Sequence, residues 1–422
     1  MPPTNTNGNA NVNANANANA NVNANDNVPA NTNTNANANV NANANTNLND
    51  NAAGLDPNLA EAQGMIFSPD GNLLVASRNS AQVREYDGET GDFIGVFIEG
   101  PELQEPFGLH YGPDGLLYVT DRTVSQVLRY NAASGAFVDV FAEFPEGAFP
   151  IDLLFTPPAS ESFVLEPDAP VGSEVTLRVT IEGLEHGGAR LLPAGGAYAP
   201  GTSVEILVRP VSSGAFVGFA GDIDDAVIEA GDGDDVIATV VMTADREVTV
   251  TFTAAMFVSS FNNDVLYRVH PDTGEILEEL RAGLTPLGIA LDPNGDILIA
   301  NRIANVVQRY RFEINNTEAF AAGETLYSPR YMTIGPNGNL FVVVSNDPNT
   351  QERDSEHVLE INPTTGAIIG VFTQGDHLSE PRGIAFGPDG DLFVSNRDTN
   401  NIIRYDGQTG AFKGVFVQGV AP

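Results

Sequence analysis

The sequence is 422 residues long, has no cysteine and no tryptophan, and carries 55 acidic against 19 basic residues, a formal charge of −36. At ~100–200 residues per domain, that length implies two or three domains with ample core. The charge speaks against a nucleic-acid or anionic-membrane partner, the missing cysteines remove disulfides, thiolate catalysis and cysteine-ligated metal sites, and no run approaches the ~18 apolar residues of a transmembrane helix.

From Asn5 to Asn51 every odd position is asparagine except Pro29, and Asp26 and Asp50 are the only charges of the segment. Such a tract buries too little apolar area to offset its backbone entropy, so residues 1–54 read as a disordered tether. The alternation also admits a strand that stacks asparagines on one face as an amide ladder. Residues 55–61 then read as a linker.

One phrase recurs after the linker: Pro/Ala-x-Gly, an apolar strand, Pro-Asp/Asn-Gly, and a second apolar strand. It runs from Ala62, Pro106, Pro286, Pro329 and Pro381. In Pro69-Asp70-Gly71 and its four counterparts proline presets φ and glycine accepts φ > 0, which predicts tight hairpin turns. A second phrase follows, a strand, a Thr/Ser-Gly turn and another strand, as at Val83 to Tyr86, Thr90-Gly91 and Phe93 to Phe97. Each unit therefore holds four short strands. Gly71 and Gly115 are 44 residues apart, Gly295 and Gly338 are 43, and Gly338 and Gly390 are 52. Four strands per ~40–50 residues is the period of β-propeller blades. The gap of 180 residues from Gly115 to Gly295 leaves room for an interrupted third unit, Ile151 to Phe155 resuming at Met256 to Ser260. The expected fold is all-β: a six-bladed β-propeller of residues 62–158 and 255–422, interrupted by an inserted domain of residues 159–254. Since six whole units follow Ala62, ring closure is expected from packing of the first unit on the last.

These phrases resemble the NHL-repeat and SMP-30/gluconolactonase-like propellers over nearly all of both propeller segments. The resemblance implies a fold rather than one activity. In that family the calcium-dependent lactonases use a glutamate in an early Glu-Gly-Pro phrase with channel-facing Asn and Asp, whereas this chain reads Glu61-Ala62-Gln63-Gly64. The histidine and glutamate of the streptogramin-lyase branch find no match in the aligned loops. The insertion, with Gly195-Gly196-Ala197-Tyr198-Ala199-Pro200-Gly201-Thr202 before one strand and Phe216-Val217-Gly218-Phe219 after it, resembles a divergent InlB B-repeat. Strands are expected at Val175 to Ile181, Val204 to Val208 and Val248 to Phe252, where apolar and polar residues alternate. The insertion should project from the face opposite the second-to-third-strand loops. Met1-Pro2-Pro3 leads straight into the Asn tract, so the start resembles a mature bacterial lipoprotein, which implies a lipid anchor removed from this chain.

Candidate ligand-binding residues lie where the second-to-third loops share a rim around the channel. Arg78, Asp121, Arg122, Asn262, Asn301, Arg302, Asn396 and Arg397 occupy those loops, and Arg330 and Arg382 stand beside two first strands. Converging arginines would hold an anion through bidentate hydrogen bonds. The alternative is that each Asp or Asn caps its own loop while each Arg packs on a neighbouring blade. The longer, polar loop from Ser345 to His357 is a candidate lid. Asp222, Asp224, Asp232 and Asp234 offer hard oxygens suited to calcium, without the glycine and glutamate of an EF-hand loop; the alternative is a solvated acidic loop. His110 reads as a packed neutral ring. No catalytic set is matched. The leading expectation is a secreted or cell-surface bacterial binding protein whose rim takes a protein, a glycan or a small anion; the alternative is a metal-dependent propeller hydrolase or lyase.

Overall fold

The structure, a computed structural model, describes residues 54–157, 162–167, 170–211, 213–231, 235–283, 285–311, 316–345 and 356–420. The Asn-rich tract and all but the ends of the loop from Ser345 to His357 lie outside the described residues, and with them the tether and lid expectations.

The described chain is all-β, with one 3-10 turn at Leu184–His186, and among the described residues no helix is long and apolar enough to cross a membrane. Six sheets, here I to VI, share one design: four antiparallel strands in sequence order. Their first strands are Ala62–Phe67, Pro106–Tyr111, Pro150–Phe155, Pro286–Leu291, Pro329–Ile334 and Pro381–Phe386. Sheet III is completed by Met256–Ser260, Val265–Val269 and Ile276–Arg281 after an excursion of about a hundred residues. Each first strand lies beside that of the next sheet, and Ala62–Phe67 lies beside Pro381–Phe386, so the first strands close a ring around an axial channel. This is the layout of a β-propeller. Neighbouring sheets cover both faces, so second strands such as Leu73–Ser77 and Leu340–Val344 are buried at every residue and read as unbroken apolar runs.

Two turn devices carry this design. The Pro-Asp/Asn-Gly glycines, Gly71, Gly115, Gly295, Gly338 and Gly390, all adopt φ between 79° and 92°. In the Thr/Ser-Gly turns the glycine both takes positive φ and abuts the preceding sheet. At Gly135 and Gly274 a Cβ would fall 1.9 Å and 1.7 Å from the carbonyl oxygens of Phe97 and Phe141.

A hydroxyl on the second strand stitches sheet to sheet. Thr120 Oγ1 accepts the N–H of Gly108 and donates to the Ile151 carbonyl at 2.9 Å. Ser259 repeats this toward Leu287. Ser395 accepts from Gly383 and donates at 2.8 Å to the Gln63 carbonyl, which joins sheet VI to sheet I. Ser395→Ala leaves a buried N–H and a buried carbonyl without this partner, and it is expected to lower unfolding free energy in urea titration by about 1–3 kcal/mol. A change under a few tenths would show that the seam is held elsewhere.

Closure has a second element that the repeat did not announce. The last residue read as tether and the first two read as linker form a strand, Gly54–Asp56, which pairs in parallel with Phe412–Gly419 and becomes the fifth strand of sheet VI. The first described strand thus clasps the last one. Asp56, 1% exposed, receives Arg84 Nε at 2.5 Å, Arg84 Nη2 at 2.9 Å and the Tyr86 hydroxyl at 2.7 Å, so the clasp is pinned to sheet I by a buried ion pair.

Within the insertion, the alternating segments form Val175–Glu182, Ser203–Pro210 and Arg246–Ala254. They belong to two sheets that face each other over a core of Leu177, Val179, Ile206, Val208, Val240, Val250 and Phe252, separate from the ring's clusters. This unit meets sheet III at the first-to-second and third-to-fourth turns. Thr156 Oγ1 donates to Ser213 O, Arg268 Nη1 to Gly214 O, and His270 Nε2 lies 3.1 Å from Phe216 O. Those turns lie on the face away from the second-to-third loops.

Candidate functional site

The x of Pro/Ala-x-Gly points into one end of the channel. In ring order these residues are Gln63, Phe107, Ile151, Leu287, Arg330 and Arg382. A bulge in every first strand, between the Pro/Ala position and the residue two or three later, turns this side chain toward the axis. Two residues past the stitching position, at the start of the second-to-third loop, stand Arg78, Arg122, Phe261, Arg302, Ser345 and Arg397. Except for Ser345, both sets line one cavity of about 210 Å³. The ring therefore brings six of the chain's 19 basic side chains to one mouth. All six predicted arginines converge there.

Among the described residues the mouth is compensated only in part. Arg78 bridges Glu61 at 2.6 Å and Glu105 at 2.7 Å, and Arg122 holds the other oxygen of Glu105 at 3.0 Å. Arg330 and Arg382 share Glu380 at 3.3 and 2.9 Å, and Arg397 turns to Asp398. No ion pair to Arg302 occurs among the described residues. Glu61 and Glu380 adopt left-handed backbone at φ 53° and 51°, immediately before Ala62 and Pro381. Burial opposes ionisation of Glu380, but Arg382, Arg330, Arg397 and Arg302 outweigh it and hold the carboxyl below its usual range. Arg330 is 4% exposed; burial, then repulsion by Arg382, Arg302 and Arg397, lowers its pKa despite Glu380. Burial likewise pulls Arg382 down to about 10. Guanidinium stays charged in proteins, so these directions mean that, among the described residues, buried Arg330 and partly exposed Arg382 are under-compensated.

The inner set is also two-sided. Gln63, Arg330 and Arg382 come from the adjoining sheets V, VI and I, while Phe107, Ile151 and Leu287 come from II, III and IV. Arg122 lies 4.4 Å over the Phe149 ring, and Arg78 and Arg122 each lie 5.8 Å from the Phe107 centroid.

The Asp and Asn candidates do not join this mouth. Asp121 accepts the N–H groups of Gln104 and Glu105 through one oxygen and of Thr123 and Val124 through the other. Asn396 accepts from Ser379 N and donates to His377 O and Asn401 Oδ1, and Asn301 donates to Gln308. All three end the second strand; Asp121 and Asn396 there satisfy backbone groups of converging loops, whereas the Asn301 side chain bonds only Gln308 and its buried Oδ1 has no partner. The correction for Asn262 is one of register: its amide reaches Gly147 O on the surface, and Phe261 is the residue that faces the channel.

The acidic loop is likewise engaged locally. Asp222 accepts the N–H of Glu247, and neighbouring Asp225 pairs with Arg246 at 2.6 and 2.7 Å. Asp232 and Asp234 lie outside the described residues. Among the described residues, no three His, Asp or Glu side chains are grouped as a metal site would need.

Below the mouth the channel narrows at the glycine of Pro/Ala-x-Gly. Gly64, Gly108, Gly288 and Gly383 let the first strands crowd the axis, and a Cβ on Gly383 would fall 2.2 Å from Gln63 O. Sheets III and V put Asp152 and Tyr331 at this position instead. Sequence reading missed both, although the departure from glycine was the available signal. Beyond the waist a second cavity of about 460 Å³ opens, lined by Asp152, Tyr331, His110, Thr333 and the apolar ends of the first strands. His110 Nδ1 bonds Tyr111 O at 2.9 Å, and burial lowers its pKa, so the ring is neutral as expected.

No protein-family model and no curated protein matches the sequence. Among solved structures the chain is similar to streptogramin B lyase (14% identity, 82% of this chain and 93% of that one, TM-score 0.44). It is also similar to virginiamycin B lyase from Staphylococcus aureus (12%, 83% and 82%, TM-score 0.44) and to a candidate gluconolactonase (12%, 81% and 87%, TM-score 0.44). At these values the chemistry of the mouth has to be read from its own geometry.

Proposed function

We propose that this chain is a binding platform for a small anionic ligand with an apolar body, held at the arginine mouth of a six-bladed propeller. The observation that carries this is that, among the described residues, buried Arg330 and partly exposed Arg382 share one carboxylate, Glu380, in a cavity whose opposite wall is Phe107, Ile151 and Leu287. An incoming carboxylate or phosphate supplies the missing charge, and its apolar part covers the far wall. The cavity's size favours a small anion over a protein or a glycan as the group actually inserted. In the same reading the insertion is an InlB-type module within the third blade, and residues 1–53 tether the protein at a bacterial cell surface. Charge of −36 suits the solubility of such a protein.

Titration calorimetry with benzoate tests the mouth. Binding is expected, weakened roughly 10–100-fold in Arg382→Ala and Arg302→Ala, as charge-assisted hydrogen bonds predict. Benzamide should bind far more weakly. Unchanged benzoate affinity in both variants overturns the proposal. Steady turnover of a lactone with added calcium or zinc would instead establish the alternative, a channel-sited hydrolase or lyase.

A further inference from the structure

The second cavity has the opposite polarity. Its walls are Met65, Phe67, Leu109, Phe155, Ile289, Met332 and other apolar side chains, so its few polar atoms decide what it can hold. Asp152 takes one backbone N–H on each oxygen, from Leu153 at 3.1 Å and Ile289 at 3.0 Å. No cation pairs with it among the described residues. Tyr331 spends its proton on Ile151 O, 3.2 Å away. The Nδ1–H of neutral His110 is spent on Tyr111 O, which leaves Nε2 an acceptor. The titratable side chains lining the cavity are thus Asp152, His110 and Tyr331, and none of them is a cation. Of the elements packed on Asp152, Gly108, Gly288 and Ser259 bring no charge, and the guanidinium that acts on Tyr331, Arg382, lines the mouth rather than this cavity.

We infer that the inner cavity is a second ligand site, for a small apolar ammonium ion, with Asp152 as its counter-ion. A primary ammonium brings three donors and one positive charge to a chamber that offers acceptors and one acid. Its hydrocarbon part replaces water against the apolar walls. The two sites lie on one axis with Asp152 and Tyr331 between them. Burial pushes the Asp152 carboxyl up to about 7, since only two backbone hydrogen bonds oppose desolvation. Ammonium binding should therefore strengthen as pH rises through neutrality, and release a proton near pH 7.

The test is calorimetry of the full chain with benzylammonium, from pH 6 to pH 8.5. Affinity is expected to rise about 10-fold across that range and to fall at least 10-fold at pH 8 in Asp152→Asn. Benzyl alcohol should show no such pH dependence. Ala385→Leu narrows the same cavity and should also weaken benzylammonium, while Arg382→Ala should not. Melting curves verify that the variants are folded. Absence of benzylammonium binding overturns the inference, as does equal affinity in wild type and folded Asp152→Asn. Since the probe, the decisive residue and the pH trend all differ from those of the mouth, failure here leaves the benzoate result independent.

Discussion

Asp56→Ala should lower the unfolding free energy by about 3–5 kcal/mol, enough to bring many domains close to their threshold. Arg84 and Asp56 are 2% and 1% exposed, and truncating one partner strands the other charge in a desolvated seam. Tyr86 loses its acceptor too. The loss falls on closure, because Asp56 belongs to the strand that clasps the last sheet while Arg84 belongs to the first. Replacing both, as Asp56→Ala with Arg84→Met, should restore much of the stability, since an apolar pair carries no unpaired charge. Chemical denaturation of the three variants decides this. A single-variant loss below 1 kcal/mol would mean that the clasp does not hold the ring.

Asp152→Asn should act in the other direction, with an advantage that grows as pH rises from about 4 to about 7. In the unfolded chain the carboxyl titrates near 3.8, and in the channel burial raises it to about 7. The folded state therefore holds its proton more tightly. Protonation contributes its full stabilisation below pH 3.8, and that contribution is lost as pH rises through 7. Three units correspond to roughly 4 kcal/mol at most, less what channel water recovers. An amide at this position accepts one of the two N–H groups and avoids the charge. The variant should match or slightly trail wild type at pH 4 and exceed it by roughly 2 kcal/mol at pH 8.5. Other carboxyls, held low by partners such as Arg129 and Arg404, impose an opposite slope on the whole protein. The wild-type-minus-variant difference is therefore the quantity to measure. A difference independent of pH would show that Asp152 titrates normally.

Much of the fold was legible because each unit repeats the same local chemistry. Proline at one turn, glycine at another and apolar runs between them dictate four short strands whatever the rest of the chain does. The arginines were legible for the same reason: a side chain repeated at one register position must point to one place in every sheet. Of the two readings open for the polar residues beside them, ligand contact or loop cap, Asp121 and Asn396 follow the second. Both repeat at one position, a strand end where backbone groups need a partner. Adjacent residues alternate direction along a strand, so an error of one place separates Phe261 from Asn262.

The period, the strand design and the concentration of arginine near one rim can all be read along the chain. All of these are local or periodic, and a few neighbouring residues suffice to express them. The tertiary structure alone decided which equivalent positions meet across the axis. It placed Glu61, Glu105 and Glu380 among the guanidiniums, set Asp152 and Tyr331 at a waist otherwise made of glycine, and brought Gly54–Asp56 onto the far end of the chain. Those contacts join residues tens to hundreds of positions apart. Their energies come from burial and charge, and neither exists until the ring has closed.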